Sequence, residues 1–429
     1  MFTKKSITAL VSSALVVMAM GAEAAQGPNS SQDSYINGIA PGVEFASILT
    51  AGDVARNGYR MAGIPDGLGA YDNDDGTFTV LMNHEIDNLN GVIRDHGGKG
   101  AFVSEWVINK RNLRVISGDD LIKKVYGWNA ATQQSDAFTS TVAFSRFCSA
   151  DLPKQKAFFN PRTGLGSNAR IYLNGEEGGA TGYAVAHVAA GRSKGSSYIL
   201  GKFNTATNGS GGSDVGGWEN LLANPFPQNQ TVVIGNNDGG TGIMSNALAV
   251  YVGTKTKTGS EVDKAGLTNG VTRFVYVDGI INEIGNAAER TSSIVSGMRF
   301  SLSDTVSTHF SRPEDGAWNP RNPKEFYFVT TDQLDKTDLT GGTQKGGTRL
   351  WRLTFDDIRN VDAGGKIDIL LDSTSMPGGV GVDKPSMFDN MSVNVDGTIT
   401  LQEDVGGNAH NGKMWQFDPA NGNLTLLSK

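Results

Sequence analysis

Residues 73–85 read "NDDGTFTVLMNHE", and residues 394–404 read "NVDGTITLQED". Both pass from an Asp-Gly-Thr turn into an alternating strand and stop at acids. Asp-Gly supplies the positive φ that a tight hairpin turn needs. One copy lies near the start of the chain and the other near its end. A ring of sheets that brings the two ends of the chain together would set such copies near each other. The same turn chemistry recurs at Asp278-Gly279. Between the turns run short apolar segments, among them 78–82, 169–173, 232–235, 248–253, 272–277, 325–330, 350–355, 367–371 and 398–402. Heptads are absent, and the 56 glycines are scattered rather than periodic. Many short strands with typed turns predict an all-β chain, and the echo between its ends favours a single β-propeller with inserted loops.

The ends of the chain bound the rest. Lys4-Lys5, the apolar run 10–20 and Ala22-Glu23-Ala24 form a signal-peptide pattern over residues 1–24, leaving 25–429 as the propeller domain. The apolar run is too short to span a membrane as a helix. The protein is expected to be periplasmic or secreted, and monomeric. The chain's formal charge is −7, and the leader holds two lysines and one glutamate, so the remainder carries −8. An acidic chain without a basic run is not expected to bind nucleic acid. Cys148 is the only cysteine, which excludes an internal disulfide.

The acids fall at the ends of apolar runs: Glu85 after Asn83-His84, Glu176-Glu177 after Asn174-Gly175, Asp238 after Asn236-Asn237, Asp332, and Glu403-Asp404. Two further sites read as turns, "RPEDG" at 312–316 and "FDN" at 388–390. Any one of these is an ordinary solvated turn. In a propeller, equivalent strand ends meet at one mouth of the channel, where close carboxylates repel until a cation joins them. Clustered Asp, Glu and Asn oxygens make the ligand set of calcium. Cys148 sits among Arg146, Ser149 and Asp151; it is a small buried side chain, a free thiol, or a thiolate ligand for a softer ion such as iron or zinc.

The histidines have no HxH or HxxxH spacing, which argues against a histidine zinc site; His84 and His410 adjoin acids and are candidates for outer support. Glu85 and Asn390 are further candidates for support or substrate contact. Nucleophile-elbow, P-loop and CxxC motifs are missing. In "RPEDGAW" (312–318), Glu314, helped by Asp315, would reach a metal, Trp318 would pack beneath, and Arg312 would offer a planar bidentate donor to an anionic oxygen. A bland reading also holds there, an Arg312–Glu314 pair bracing a turn. Metal plus arginine is the equipment of phosphoryl chemistry.

With these motifs in view, the chain resembles the PhoX-type alkaline phosphatases, exported bacterial enzymes. The resemblance rests on "LMNHE" (81–85), "YLNGEEGG" (172–179), "VVIGNNDGGTG" (232–242), "VYVGTK" (250–255), "SRPEDGAWNP" (311–320), "KPSMFDNMSVNVDGTI" (384–399) and "LQED" (401–404). It implies a six-bladed propeller with calcium and iron at the channel mouth, hydrolysing small phosphomonoesters. It implies that Arg312 binds phosphate, that Glu177, Asp238, Glu314 and Asp389 ligate metal, and that Cys148 bridges two irons. The strand-end reading adds Glu176, Glu403 and Asp404 to the ligand candidates. The chain departs from the family in having Lys4-Lys5 where a twin-arginine signal is usual, in the long spacing from Cys148 to Glu176, and in an arm before residue 70 that matches nothing there. Glu219 is left undecided. A calcium-dependent propeller hydrolase of another ester, lactonase or phytase in kind, and a non-catalytic calcium-stabilised binding propeller remain as alternatives.

Overall fold

The computed structural model describes residues 25–429 apart from 140, 178–181, 204–216, 239–245, 287–288, 333–346, 378–382 and 405–411. The signal-peptide pattern and His410 therefore lie outside the described residues. Among the described residues no helix is long and apolar enough to cross a membrane.

Five four-stranded antiparallel meanders carry the fold. The first is Pro65–Asp72, Thr77–His84, Phe102–Asn109 and Val115–Asp120. The second is Phe147–Asp151, Arg170–Glu176, Ala184–Ala190 and Ser196–Ile199, with the hairpin Lys124–Asn129/Gln134–Thr139 added to its edge. The third is Trp218–Ala223, Gln230–Asn237, Leu248–Thr254 and Val271–Val277. The fourth is Pro313–Trp318, Glu325–Thr330, Arg349–Phe355 and Gly365–Asp372. Met298–Ser303 pairs with the outermost strands of the third and fourth and joins them into one nine-stranded sheet. The fifth is Phe388–Val393, Ile399–Glu403, Met414–Asp418 and Asn423–Ser428.

The first strand of each meander packs against the first strand of the next, which is the arrangement of a β-propeller around its channel. The period of two explains why the middle strands are apolar on both faces. In the third sheet Val233 enters the core shared with the second sheet, whereas Ile234 enters the core shared with the fourth. In the fourth, Phe328 faces back to the third while Tyr327 and Val329 face the fifth. The third and fourth sheets are thus each buried between two neighbours.

Against the six blades that the resemblance implies, the described residues form five four-stranded meanders, and the arm before residue 65, with a two-stranded parallel pair of its own (Ala25–Gln26 with Ala46–Ser47), lies between the last and the first. Asn37 N and Ile39 N donate to Lys429 O and Leu427 O, at 3.2 and 2.9 Å. On the other side Ala55 and Met61 share a core with Trp106 and Ile108 of the first sheet. The arm lacks long alternating apolar runs; it bonds along the outer strand of the fifth sheet and packs on a face of the first.

The two echoed segments occupy the same place, the second strand of the first and fifth sheets. Asn73 Nδ2 donates to Thr77 Oγ1 (2.8 Å) and Thr77 N to Asp75 Oδ1 (2.9 Å); Asn394, Thr398 and Asp396 repeat both bonds at 3.0 Å. Residues 313–318 and 388–393 correct the sequence reading, since they are innermost strands rather than turns. Trp318 is buried as expected, donating from Nε1 to Leu222 O at 3.0 Å.

Candidate metal and substrate site

Each innermost strand begins with Pro, Phe or Trp, and its second residue is a metal-ligand type: Asp66, Cys148, Glu219, Glu314 and Asp389. The residue immediately after each second strand gives another series: Glu85, Glu177, Asp238, Thr331 and Asp404. Side-by-side packing of the innermost strands converts these repeated positions into two rings at one channel mouth. The strand starts are held tightly. The residues just before four of them adopt left-handed φ: Arg146 (49°), Gly217 (80°), Arg312 (59°) and Met387 (45°). For the non-glycine residues this conformation is costly and persists only where the surroundings impose it. Gly67 allows the first two strands to touch, because a Cβ there would come within 2.5 Å of Ala150 N.

The side chains converge in three overlapping triads whose potential ligand atoms lie within 4.8 Å of one another: Asp66, Glu85 and Cys148; Cys148, Glu177 and Glu219; Glu219, Glu314 and Asp389. Cys148 and Glu219 are each shared by two triads. Cys148 Sγ donates to Glu177 Oε2 at 3.0 Å. The triads line a cavity of about 830 Å³, together with Arg146, Arg312, Asn390, Asp404 and, from the arm, Leu49 and Met61. Burial raises the carboxyl pKa of Asp66, Glu85, Glu219, Glu314 and Asp389 above the ordinary range, and neighbouring carboxylates raise them further. Burial, then Glu219 and Glu177, push the Cys148 thiol up as well.

Two arginines answer part of this charge. Arg312 Nε and Nη2 donate to Asp238 Oδ2 (3.2 and 2.7 Å), and Nη2 lies 2.9 Å from Glu314 Oε1. Arg312 Nη1 is buried without a hydrogen-bond partner among the described residues. Arg146 Nε donates to Glu177 Oε2 at 3.0 Å, and its Nη2 lies 2.5 Å from Glu85 Oε1. Ser311, which precedes Arg312, is clamped by a buried ion network: its N–H donates to Glu283 Oε2 and its hydroxyl to Asp332 Oδ1, both at 2.6 Å. Arg349 Nη1 donates to Glu283 (2.8 Å), and Arg290 Nε to Asp332 (3.0 Å).

Several expected residues have other duties. Glu176 is turned away from the cavity and accepts from the N–H groups of Ser145 and Tyr183, both at 2.8 Å. Glu403 lines the cavity, but its carboxylate accepts from Ser386 N, Lys413 N and Trp415 Nε1. Burial raises both carboxyls to about 7. Asp315 accepts from Asn220, Gly316 N and Met391 N, tying three innermost strands together. His84 is not beside the acids. It stacks on Phe102, bonds Ser104 Oγ (2.8 Å) and Gly63 O (3.1 Å), and is pushed by burial down to about 4. Asn390 reaches across to Ser149 Oγ at 3.1 Å. Sequence reading passed over Asp66 and left Glu219 open; the signal that finds them is the apolar-then-ligand pair opening each innermost strand.

Asn83 positions Cys148. Its Nδ2 donates to Cys148 O (2.6 Å), and its Oδ1 accepts from Tyr172 OH (3.0 Å) and Asn174 Nδ2 (2.9 Å). Asn174 Oδ1 in turn meets His187 Nε2 at 2.9 Å. Every member is buried. Asn83→Ala strands these partners, so it should destabilise the chain by about 2 kcal/mol or more in urea unfolding, and an unchanged midpoint would refute this hub.

The fold is similar to that of Pseudomonas fluorescens PhoX, solved in complex with vanadate, a transition-state analogue. The TM-score is 0.57 at 10% sequence identity, over 95% of this chain and 88% of that one. A fungal alcohol oxidase of the AA5 family, in complex with copper, aligns with a TM-score of 0.33 at 10% identity, over 81% of this chain and 62% of its own. The β-propeller domain of the trilobed protease from Pyrococcus furiosus aligns at 0.29 and 6% identity, over 86% and 85%. No family model matches the chain, and no curated protein does.

Proposed function

We propose that the protein is an exported, metal-dependent phosphomonoesterase of the PhoX kind. The observation that carries this reading is the partnerless, buried Nη1 of Arg312 beside a row of carboxylates linked by one thiol. A buried guanidinium N–H calls for an acceptor, and a phosphoryl oxygen fits its planar fork. The cavity is large enough for a small organic ester. The vanadate complex of the structural neighbour agrees with this reading.

The donor sets fit the expected metals. Glu219, Glu314 and Asp389 offer oxygen alone, as calcium prefers; Cys148 stands in both other triads, where a soft donor suits iron. Candidate ligands are therefore Asp66, Glu85, Cys148, Glu177, Glu219, Glu314 and Asp389, with Asp404 beside Asp389. Bound metals would supply Lewis acidity and a nucleophilic oxygen near neutral pH. The chain's own part is positioning. Asp238 and Glu314 orient the Arg312 fork, the clamp on Ser311 holds its backbone, and the fork receives the charge that grows on the phosphoryl oxygens.

Arg312→Ala should lower kcat/KM for a phosphomonoester by about 10²–10³-fold, and Arg312→Lys should recover little, because an ammonium cannot form the fork. Both variants should keep the wild-type metal content. Full turnover in Arg312→Ala would sink the reading.

A further inference from the structure

Arg146 and Arg312 occupy one repeated position. Each directly precedes an innermost strand, each has left-handed φ, and each reaches the acid that follows the second strand of the preceding sheet, Glu85 for Arg146 and Asp238 for Arg312. They are the only cations among the described residues that line the cavity. Yet they share no partner. Arg312 sits at the triad of Glu314, and Arg146 contacts Glu85 and Glu177, which belong to the two triads containing Cys148. The two guanidinium groups therefore answer different triads, Arg146 the two that share Cys148 and Arg312 the third. Arg146 is the more open of the two, its side chain 45% exposed against 32%. Its contacts with Glu177 and Glu85 run through Nε and Nη2, and a cavity of about 830 Å³ exceeds what one phosphoryl group fills.

We infer that Arg146 is a second anion-binding residue, which selects phosphomonoesters whose leaving group carries another anionic group. This rests on the phosphomonoesterase reading. Arg312 holds the reacting phosphoryl group. Arg146 forms charge-assisted hydrogen bonds to a carboxylate or second phosphate on the leaving group. The device sets substrate preference rather than the chemistry.

The test uses metal-loaded protein as purified, with phenyl phosphate against 3-carboxyphenyl phosphate, and propyl phosphate against propane-1,3-diyl bisphosphate. The wild type should prefer the doubly anionic member of at least one pair by about tenfold or more in kcat/KM, and the pair that shows it identifies the second group. Arg146→Ala should bring that ratio near unity. Arg146→Lys, which keeps the charge next to Glu85 and Glu177, should retain part of it, with metal content measured on the same samples. Turnover of phenyl phosphate with no preference in either pair overturns the inference alone. So does a preference that survives in Arg146→Ala. No turnover of any of the four esters overturns the phosphomonoesterase reading and the inference with it.

Discussion

Glu219→Gln should remove more than one metal equivalent per chain and lower phosphomonoester kcat/KM by at least about 10²-fold, more than the 10–100-fold typical of losing an outer-shell partner. The size of the effect follows from its place. Glu219 is buried on the second position of its innermost strand, and its carboxylate belongs to two of the three triads. Glutamine keeps the shape, and its amide oxygen can still accept from Ser149 N, now 3.3 Å from Glu219 Oε1. The fold should therefore survive while the charge shared by two sites disappears. Glu176→Gln is the contrast. Among the described residues its carboxylate accepts only backbone N–H bonds, so the change should cost about 1–3 kcal/mol of stability and leave metal stoichiometry unaltered. Elemental analysis and turnover on the same samples decide. Wild-type metal content in Glu219→Gln would break the shared-ligand account.

Chelation should abolish turnover and destabilise the fold, and the loss should grow with pH. Burial and mutual repulsion hold the carboxyls of Asp66, Glu219, Glu314 and Asp389 high in the metal-free fold. Above the unfolded-state value of about 4, the metal-free fold then binds more protons than the unfolded chain, so its stability falls as pH rises through neutrality. Cations that neutralise these groups remove that penalty. His84 and His187 act with the opposite sign. Burial keeps both neutral, pushed down to about 4 and about 3, so stability falls as pH drops below about 6.5. That effect is common to loaded and chelated protein and cancels in their difference. A cation at 1,000 times its dissociation constant stabilises by about 4 kcal/mol per site. With several sites the Tm gap should reach roughly 10 °C at pH 8 and shrink towards pH 5. A gap that is flat or widens on acidification would contradict it. Calcium without iron, and no phosphate release, would move the assignment to another propeller hydrolase or a binding propeller.

The sequence by itself determined the all-β class, the nine apolar runs that became middle and outer strands, and the equivalence of residues 73–85 and 394–404. Those segments pack against a neighbouring sheet on one face or both, so they carry apolar side chains at every inward position, and turn chemistry brackets them. It also located the acids that follow the second strands, because a carboxylate after an apolar run is visible at short range. The innermost strands were illegible. "PEDGAW" (313–318) and the start of "FDNMSV" (388–393) read as turns, and "PDGLGAYD" (65–72) was not read as a strand, because these segments line the channel and spend their residues on the site rather than on a core. Only tertiary structure decided which acids share a centre. Glu176 and Glu177 are adjacent in sequence, yet strand alternation sends the first to backbone N–H groups and the second to Cys148. Asp66, Cys148, Glu219, Glu314 and Asp389 are scattered along the chain, and the side-by-side packing of five strand starts brings them together. No spacing encodes that meeting, because distance along the chain carries no information about distance around a ring.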